Sequence, residues 1–165
     1  MRKALFLSFF LISSFARAET TVTMVGVHNC CKSCTNGIVK SAADIKDTTV
    51  TAEGETVIIV AKSKANAQKA VEAIMEAGYY GKSSLEIPGI ASRKTEKKLT
   101  DVTVTGAHLC CGKCVKAMTE AVKAVPGVTE YVIENKASTF TVKGQFTESD
   151  LLASMNKAGF HGTVK

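Results

Sequence analysis

One short pattern of thiols and imidazoles occurs twice in this chain. Residues 28–34 and residues 108–114 both read His-x-Cys-Cys-x-x-Cys, and eighty positions separate the two copies. Together they contain all six cysteines and two of the three histidines. Thiols in such clusters can bind a soft metal ion or exchange electrons. The sequence therefore predicts two thiol sites with a chemical role.

The cysteines within each copy lie too close together to be structural disulfide bonds. Disulfides that stabilise small exported domains join distant segments, because closing a long loop removes more entropy from the unfolded chain. A bond between Cys31 and Cys34, or between Cys111 and Cys114, would close only a very short loop. We interpret both clusters as functional. An interaction module whose thiols stay oxidised and inert is an alternative.

The first eighteen residues have the composition of a signal peptide. Arg2 and Lys3 precede an almost unbroken apolar run over residues 4–15, and residues 16–18 form a small-x-small cleavage site. The run is shorter than the roughly 18–20 apolar residues that span a bilayer. We expect cleavage after this segment and a periplasmic or secreted protein, without membrane insertion in its mature form. An uncleaved anchor is the alternative.

The charge of the mature chain argues against nucleic acid as a partner. Removal of residues 1–18 takes away Arg2, Lys3 and Arg17 and no acidic residue, so the formal net charge falls from +6 to +3. The lysines are scattered along the chain, without the concentrated basic face and stacking aromatic residues that nucleic-acid binding uses. We therefore expect no nucleic-acid partner.

The same order of hydrophobic patterns surrounds both motifs. In each copy a strand precedes the cysteine loop and a helix follows it, and a hairpin, a second helix and a short strand complete the unit. This β-α-β-β-α-β order predicts an α+β protein with two tandem ferredoxin-like domains. We place a signal peptide at residues 1–18, the first domain at 19–87, a linker at 88–99 and the second domain at 100–165.

Particular residues predict where these elements begin and end. Ile45 extends the apolar face of the first helix, and residues 82–87 form the closing strand of the first domain. In the second domain, the Pro-Gly pair at residues 126–127 ends the first helix. A strand follows over residues 138–142, and Thr147 caps the last helix.

A Cys-x-x-Cys pair between the first strand and first helix of such a unit resembles the heavy-metal-associated domain. Copper chaperones, the amino-terminal repeats of copper-transporting ATPases and periplasmic mercury-binding proteins belong to that family. The resemblance covers nearly the whole mature chain in two copies, and each copy has a Gly-aromatic pair near its end, at residues 78–79 and 159–160. It implies Cys31 and Cys34 as the metal ligands of one domain.

In the second domain the same resemblance implies Cys111 and Cys114 as the metal ligands. The family usually has Gly-Met-x-Cys-x-x-Cys, whereas this chain lacks the methionine and has a longer loop. Each loop gains a cysteine and a histidine. The two cysteines are either further ligands or spare or cluster-forming thiols beside the ion, and the two histidines are either ligands or surface side chains without a metal role. These additional candidates are Cys30, Cys110, His28 and His108.

His161 is a further candidate for the second site. It follows the Gly-aromatic pair of the second copy, and some members of the resembled family carry a histidine there that can reach the ion. The first copy has Tyr80 at the corresponding position. A solvated histidine without a metal role is the alternative.

The residue types favour soft metals. Two thiols separated by two residues at the start of a helix can converge on one ion, and the helix amino terminus stabilises thiolates. Thiolates select soft or borderline ions. We expect Cu(I) as the bound ion, with Hg(II), Zn(II) and Cd(II) as alternatives. Nearby lysines, Lys32, Lys113 and Lys116, would offset the negative charge of a metal–thiolate complex.

These features predict an exported metal-binding protein and not an enzyme. It would sequester the ion or transfer it by thiolate ligand exchange to a metal-donor or metal-acceptor protein such as a transporter, and a metal-bridged dimer is one form it could take. The main alternative is a periplasmic dithiol–disulfide oxidoreductase, which also uses Cys-x-x-Cys at a helix start. Against it, the chain has no tryptophan, and its two prolines lie in the linker and at a helix end.

A structural Cys₃His zinc site is a third interpretation of the loops. Structural zinc normally ties together ligand pairs from separate segments. Here the four candidate ligands of each copy lie within seven residues of one another, so such a site would hold little of the fold together.

Overall fold

The structure is a computed structural model that describes residues 19–87 and 98–165. The predicted signal peptide and residues 88–97 of the predicted linker lie outside this part of the chain. Within it, the order β-α-β-β-α-β occurs twice, and each occurrence forms its own four-stranded antiparallel sheet. The prediction of an α+β fold with two ferredoxin-like units is confirmed.

The first unit forms a sheet with strand order β2-β3-β1-β4. Its elements are β1 (Thr20–Val25), α1 (Lys32–Ser41), β2 (Thr48–Glu53), β3 (Thr56–Ala61), α2 (Lys64–Glu76) and β4 (Lys82–Ser83). Burial alternates along the strands, so that Val22, Met24 and Ile59 are buried on one face. The buried helix residues Ile38 and Ile74 belong to the same core.

The second unit repeats this arrangement with strand order β6-β7-β5-β8. Its elements are β5 (Lys98–Thr105), α3 (Gly112–Lys123), β6 (Val128–Val132), β7 (Thr139–Thr147), α4 (Glu148–Lys157) and β8 (Thr163–Val164). Thr147 Oγ1 accepts a hydrogen bond of 3.1 Å from the Asp150 backbone N–H, so the predicted cap of α4 is confirmed. None of the helices in these described residues has the length and apolar character of a membrane span.

Three element ends differ from the sequence-based prediction. The closing strand of the first unit is only Lys82–Ser83, and Ile45 lies beyond the end of α1 while still packing against the core. β7 runs on to Thr147, because it pairs with a long β5 that starts at Lys98, with a register shift after Leu99. Long-range strand pairing thus overrides the local pattern at the ends of the two strands.

The two units contact each other through a short antiparallel backbone bridge between Tyr79 and Phe160. The Tyr80 N–H donates to the Gly159 carbonyl at 2.9 Å, and the His161 N–H donates to the Gly78 carbonyl at 3.0 Å. Corresponding residues of the two repeats therefore face each other, as in a symmetric dimer interface.

Glycine is required at both ends of this bridge. Gly78 has a φ of 92°, and a Cβ there would lie 2.5 Å from the Gly106 carbonyl oxygen and 2.5 Å from the His108 nitrogen of the other unit. Gly159 has a φ of 84°, and its Cβ would collide with the His28 backbone nitrogen. A side chain at either position would force the two units apart.

We predict that Gly159→Ala weakens the bridge. The matched control is Gly54→Ala, since Gly54 also has a positive φ (52°) but has open space where a Cβ would lie. If Gly159→Ala destabilises the contact between the units by about 1.4 kcal/mol, hydrogen exchange of the bridge amides becomes about tenfold faster. Hydrogen exchange at the Tyr80 and His161 amides measures this. Equal protection of these amides in the two variants would contradict the role of Gly159 in the contact between the units.

Candidate metal centre

Each Cys-x-x-Cys pair lies at the start of a helix, as predicted. Cys31 is the N-cap residue of α1, and Cys111 is the N-cap residue of α3. Cys34 and Cys114 lie in the first turns and are fully buried, because that side of each helix faces the core. The helix therefore holds one sulfur of each pair at the surface and the other inside.

Backbone hydrogen bonds hold both cysteine loops in place. The Val27 N–H, just before the first loop, donates to the Glu55 carbonyl at 3.0 Å. In the second loop, the Leu109 carbonyl accepts from the Lys136 N–H at 2.7 Å. Both loops are thereby fastened to the hairpin of their own unit. Val27 and Leu109 are also buried, which anchors the loops in the core.

The two cysteine loops meet at the contact between the units. Cys34 Sγ lies 3.5 Å from Cys110 Sγ and 3.9 Å from Cys114 Sγ, and Cys30 Sγ lies 3.7 Å from Cys111 Sγ. We refer to the six side chains together as the thiol cluster: Cys30, Cys31, Cys34, Cys110, Cys111 and Cys114. The sequence predicted separate sites, whereas the structure brings the two loops into one group.

All six members of the thiol cluster are free thiols. Their contacts of 3.5–3.9 Å are well beyond the roughly 2.05 Å of a disulfide bond. Four sulfurs at about 2.3 Å from a tetrahedral ion lie about 3.8 Å from one another. The spacing of the thiols is therefore the spacing that a metal ion among them requires.

The histidines of the two loops pack against the aromatic residue of the opposite unit, His28 in a stacked arrangement and His108 in a tilted one. The His28 ring lies 4.4 Å from the Phe160 ring, and the His108 ring lies 4.3 Å from the Tyr79 ring. Tyr79 Oη is also 3.0 Å from His108 Nε2, within hydrogen-bond distance. His28 Nε2 is buried and has no hydrogen-bond partner among the described residues.

Both imidazoles lie within reach of cluster sulfurs. Ligand atoms of His28, Cys30 and Cys114 lie within 4.8 Å of one another. A second convergent group has the composition Cys₃His and consists of Cys34, His108, Cys110 and Cys114. A buried nitrogen without a partner, such as His28 Nε2, is expected where an ion completes the site.

His161 lies beside this centre but is not in a convergent group among the described residues. Its backbone N–H belongs to the bridge between the units, and burial lowers the pKa of its ring. A metal-binding role for His161 stays a prediction. The Gly-aromatic pairs gain a role that was not predicted, since they hold the two loops together. Their recurrence was visible in the sequence, but their pairing with each other was not.

The thiols differ in acidity across the cluster. The backbone N–H of Cys114, and then that of Lys113, lower the pKa of Cys111 to about 6. The first turn of α1 lowers the pKa of Cys31 in the same way, through the backbone N–H of Cys34 first. Burial instead raises the pKa of Cys110 to about 12. The partly buried N-cap thiols of Cys31 and Cys111 are therefore more acidic than an ordinary cysteine, and the thiol of Cys110 is less acidic.

The charged and titratable groups around the thiol cluster are compatible with several negatively charged thiolates. The first turns of α1 and α3 contain no acidic residue, and Lys32 and Lys113 lie exposed there. Burial lowers the pKa of His108 to about 4 and also lowers that of His28. Both imidazoles are therefore neutral at pH 7, the form that binds metals.

We predict that Cys111 is alkylated before Cys114 in the reduced, metal-free protein. Because its pKa is about 6, its rate should level off above that pH and fall about tenfold for each pH unit below it. Iodoacetamide labelling from pH 4 to 9, followed by peptide mass spectrometry, measures both sites. Alkylation of Cys114 before Cys111 would contradict this prediction. So would a pH–rate profile for Cys111 with its midpoint near pH 9.

We predict that Tyr79→Phe lowers the free energy of unfolding by about 1–3 kcal/mol, because the half-buried His108 Nε2 loses its partner. Urea unfolding at pH 7 measures the change. Tyr80→Phe, the same substitution at the next residue, is the control and should cost less. Equal losses in both variants would show that the Tyr79 hydroxyl does not hold His108.

Among known families, residues 101–161 match the model of the heavy-metal-associated domain. These residues include the second cysteine loop. The first unit lies outside the match, although it has the same element order and sheet order. No curated protein matches the chain.

Three solved structures show a weak overall likeness. The N-terminal soluble domains of Bacillus subtilis CopA are 16% identical over 90% of this chain and 95% of that chain, with a TM-score of 0.34. The water-soluble region of the P-type ATPase CopA from Bacillus subtilis is 15% identical over 90% and 93%, also with a TM-score of 0.34. The first two RRM domains of the yeast poly(U)-binding protein Pub1 are 10% identical over 88% and 98%, with a TM-score of 0.27.

At these TM-scores the likenesses support no functional conclusion, and the family match stands on the sequence of the second unit. That match covers the strand, loop and helix that position Cys111 and Cys114. It makes the second unit of this chain similar to a heavy-metal-associated domain.

Proposed function

We propose that this protein is an exported soft-metal-binding protein that sequesters Cu(I) or passes it on by thiolate ligand exchange. One observation carries the proposal: six free thiols from two loops lie at metal-compatible distances of 3.5–3.9 Å from their neighbours. The family match of the second unit supports metal binding independently. The predicted signal peptide supports a periplasmic or secreted location.

The donor set favours Cu(I). Each convergent group among the described residues consists of cysteine and histidine side chains, without a carboxylate. Thiolates and neutral imidazoles select soft or borderline ions over hard ones such as Mg(II) and Ca(II). An excess of thiolates over imidazoles favours Cu(I) first, with Hg(II), Zn(II) and Cd(II) as competitors.

Zinc is the second candidate, because one group has a specific Cys₃His composition. Cys34 comes from the first unit, whereas His108, Cys110 and Cys114 come from the second. Such a site would tie two separate segments together, as structural zinc sites do. The sequence-based objection, that all four ligands belong to one loop, does not apply to this set.

Ligand exchange would begin at the more accessible, more acidic thiol of each pair. An incoming ion bound to a donor protein would first meet Cys31 or Cys111, whose pKa values are lowered. The buried thiol of Cys34 or Cys114 would then bind the ion and release its proton to solvent, while the donor's ligand leaves. Release to an acceptor such as a transporter would follow the same steps in reverse. No bond to carbon or phosphorus changes, so the role is binding and transfer.

The experiment is titration of the reduced mature protein with Cu(I) in the presence of a competing chelator. We predict that Cys31→Ser and Cys111→Ser each weaken Cu(I) retention, on the order of tenfold or more, because each removes a thiolate ligand. Ser33→Ala, at an exposed position of the first loop, is the matched control and should retain the ion. Unchanged stoichiometry and affinity in both cysteine variants would overturn the proposal.

An insulin-reduction assay on the same samples distinguishes metal binding from dithiol–disulfide exchange. An oxidoreductase should reduce insulin disulfides rapidly without any metal, and Cu(I) should inhibit it by occupying its thiols. A metal carrier should bind Cu(I) tightly and show no such turnover. Rapid catalytic reduction by the metal-free protein would favour the redox function.

A further inference from the structure

We propose that the thiol cluster is one polynuclear site shared by the two units, which holds several Cu(I) ions bridged by thiolates. This inference rests on the proposed function and deepens it. The alternative is the arrangement that the sequence predicts, with one ion at each cysteine loop. Four observations on the described residues support the shared site.

The convergent groups are the first observation. Each of the three combinations of ligand atoms that lie within 4.8 Å takes members from both units. Cys34 of the first unit joins a set from the second, and Cys114 of the second joins His28 and Cys30. Cys111 joins the third set, with Cys30 and Cys31. An ion placed in any of these groups would therefore be bound by both units.

The position of the two buried sulfurs is the second observation. Cys34 Sγ lies 3.6 Å from Cys31 Sγ in its own loop and 3.5 Å from Cys110 Sγ in the other loop. Cys114 Sγ lies 3.7 Å from Cys111 Sγ and 3.7 Å from Cys30 Sγ. Each buried sulfur is thus equally close to sulfurs of both loops. That is the position of a bridging ligand between two ions.

Three-sulfur faces that share edges are the third observation. The sulfurs of Cys30, Cys111 and Cys114 form a triangle with sides of 3.7 Å. A second triangle, of Cys34, Cys110 and Cys114, has sides of 3.5, 3.7 and 3.9 Å.

An ion about 2.3 Å from three sulfurs needs sulfur separations of up to about 4 Å, so each of these faces fits one ion. A third face, of Cys30, Cys34 and Cys114, shares an edge with both of them. Neighbouring ions would therefore share thiolates.

Charge is the fourth observation. Metal loading deprotonates the thiols of one partly buried group; the resulting thiolates repel one another, and each additional Cu(I) ion would offset one more negative charge. The amino termini of α1 and α3 and the exposed Lys32 and Lys113 offset part of the remainder. Each ion enters as thiol protons leave to solvent, so loading needs no oxidant or reductant.

The first test counts Cu(I) ions bound to the full mature chain by native mass spectrometry during titration. The shared site predicts more than two ions per chain, which appear cooperatively without a stable singly loaded species. Two ions per chain, filled in independent steps, would overturn the inference while leaving the proposed function intact. Absence of any bound Cu(I) would overturn the proposed function and the inference with it.

The second test removes one loop and measures the other. In the triple variant Cys30→Ser, Cys31→Ser and Cys34→Ser, a shared site predicts that the affinity of the second loop for Cu(I) falls on the order of tenfold or more, because its bridging partners are gone. Independent sites predict an unchanged affinity at the second loop. Circular dichroism establishes whether the variant is folded.

The third test keeps every cysteine and disturbs only the contact between the units. Gly159→Ala should reduce the number of Cu(I) ions to two or fewer per chain and abolish the cooperativity, because its Cβ meets the backbone of the first unit at His28. Gly54→Ala has the same kind of backbone strain without that collision and should load like the unsubstituted protein. Equal loading of the two variants would overturn the shared site.

Discussion

The close backbone approach between the two units is the constraint on which the candidate site depends. Gly78 and Gly159 allow two chain segments to pair at a distance that no side chain permits, and the amides of Tyr80 and His161 complete the pairing. Buried backbone groups that lose their partners destabilise a fold, so this bridge has a defined geometry. Because each cysteine loop packs directly beside the bridge, that geometry also sets the distance between the loops.

Duplication within one chain favours this contact. Corresponding residues of the two repeats meet, which is the arrangement that two copies of a single-domain protein would form around a shared ion. Here a covalent connection holds the copies at a high effective concentration. The metal-bridged dimer that the sequence suggested thus has a counterpart inside a single chain, with its two cysteine loops already facing each other.

Features that depend on neighbouring residues could be predicted from the sequence, whereas features that depend on contacts between distant residues could not. Hydrophobic alternation and the cysteines before an apolar helix face are local features, and the structure confirms the two ferredoxin-like units that they indicate. The ends of β7 and of the closing strand depend on pairing with distant strands, so residues 138–142 and 82–87 were predicted with the wrong length. The two loops meet because of contacts between the repeats, and no periodic pattern in the sequence indicates those contacts.

The two halves of the centre are alike in sequence but differ in chemistry because of one hydroxyl group. Tyr79 holds His108 by its hydroxyl, and Gly37 in α1 leaves the space that this hydroxyl occupies. In the second repeat the aromatic residue is Phe160, so His28 keeps the stacking contact but has a buried Nε2 without a partner. An ion at the edge of the cluster would find His28 Nε2 without a hydrogen-bond partner, whereas an ion that bound His108 Nε2 would have to compete with the Tyr79 hydroxyl. The repeats therefore provide matching thiolates but unequal imidazoles, which gives a pseudo-symmetric cluster two distinguishable ends.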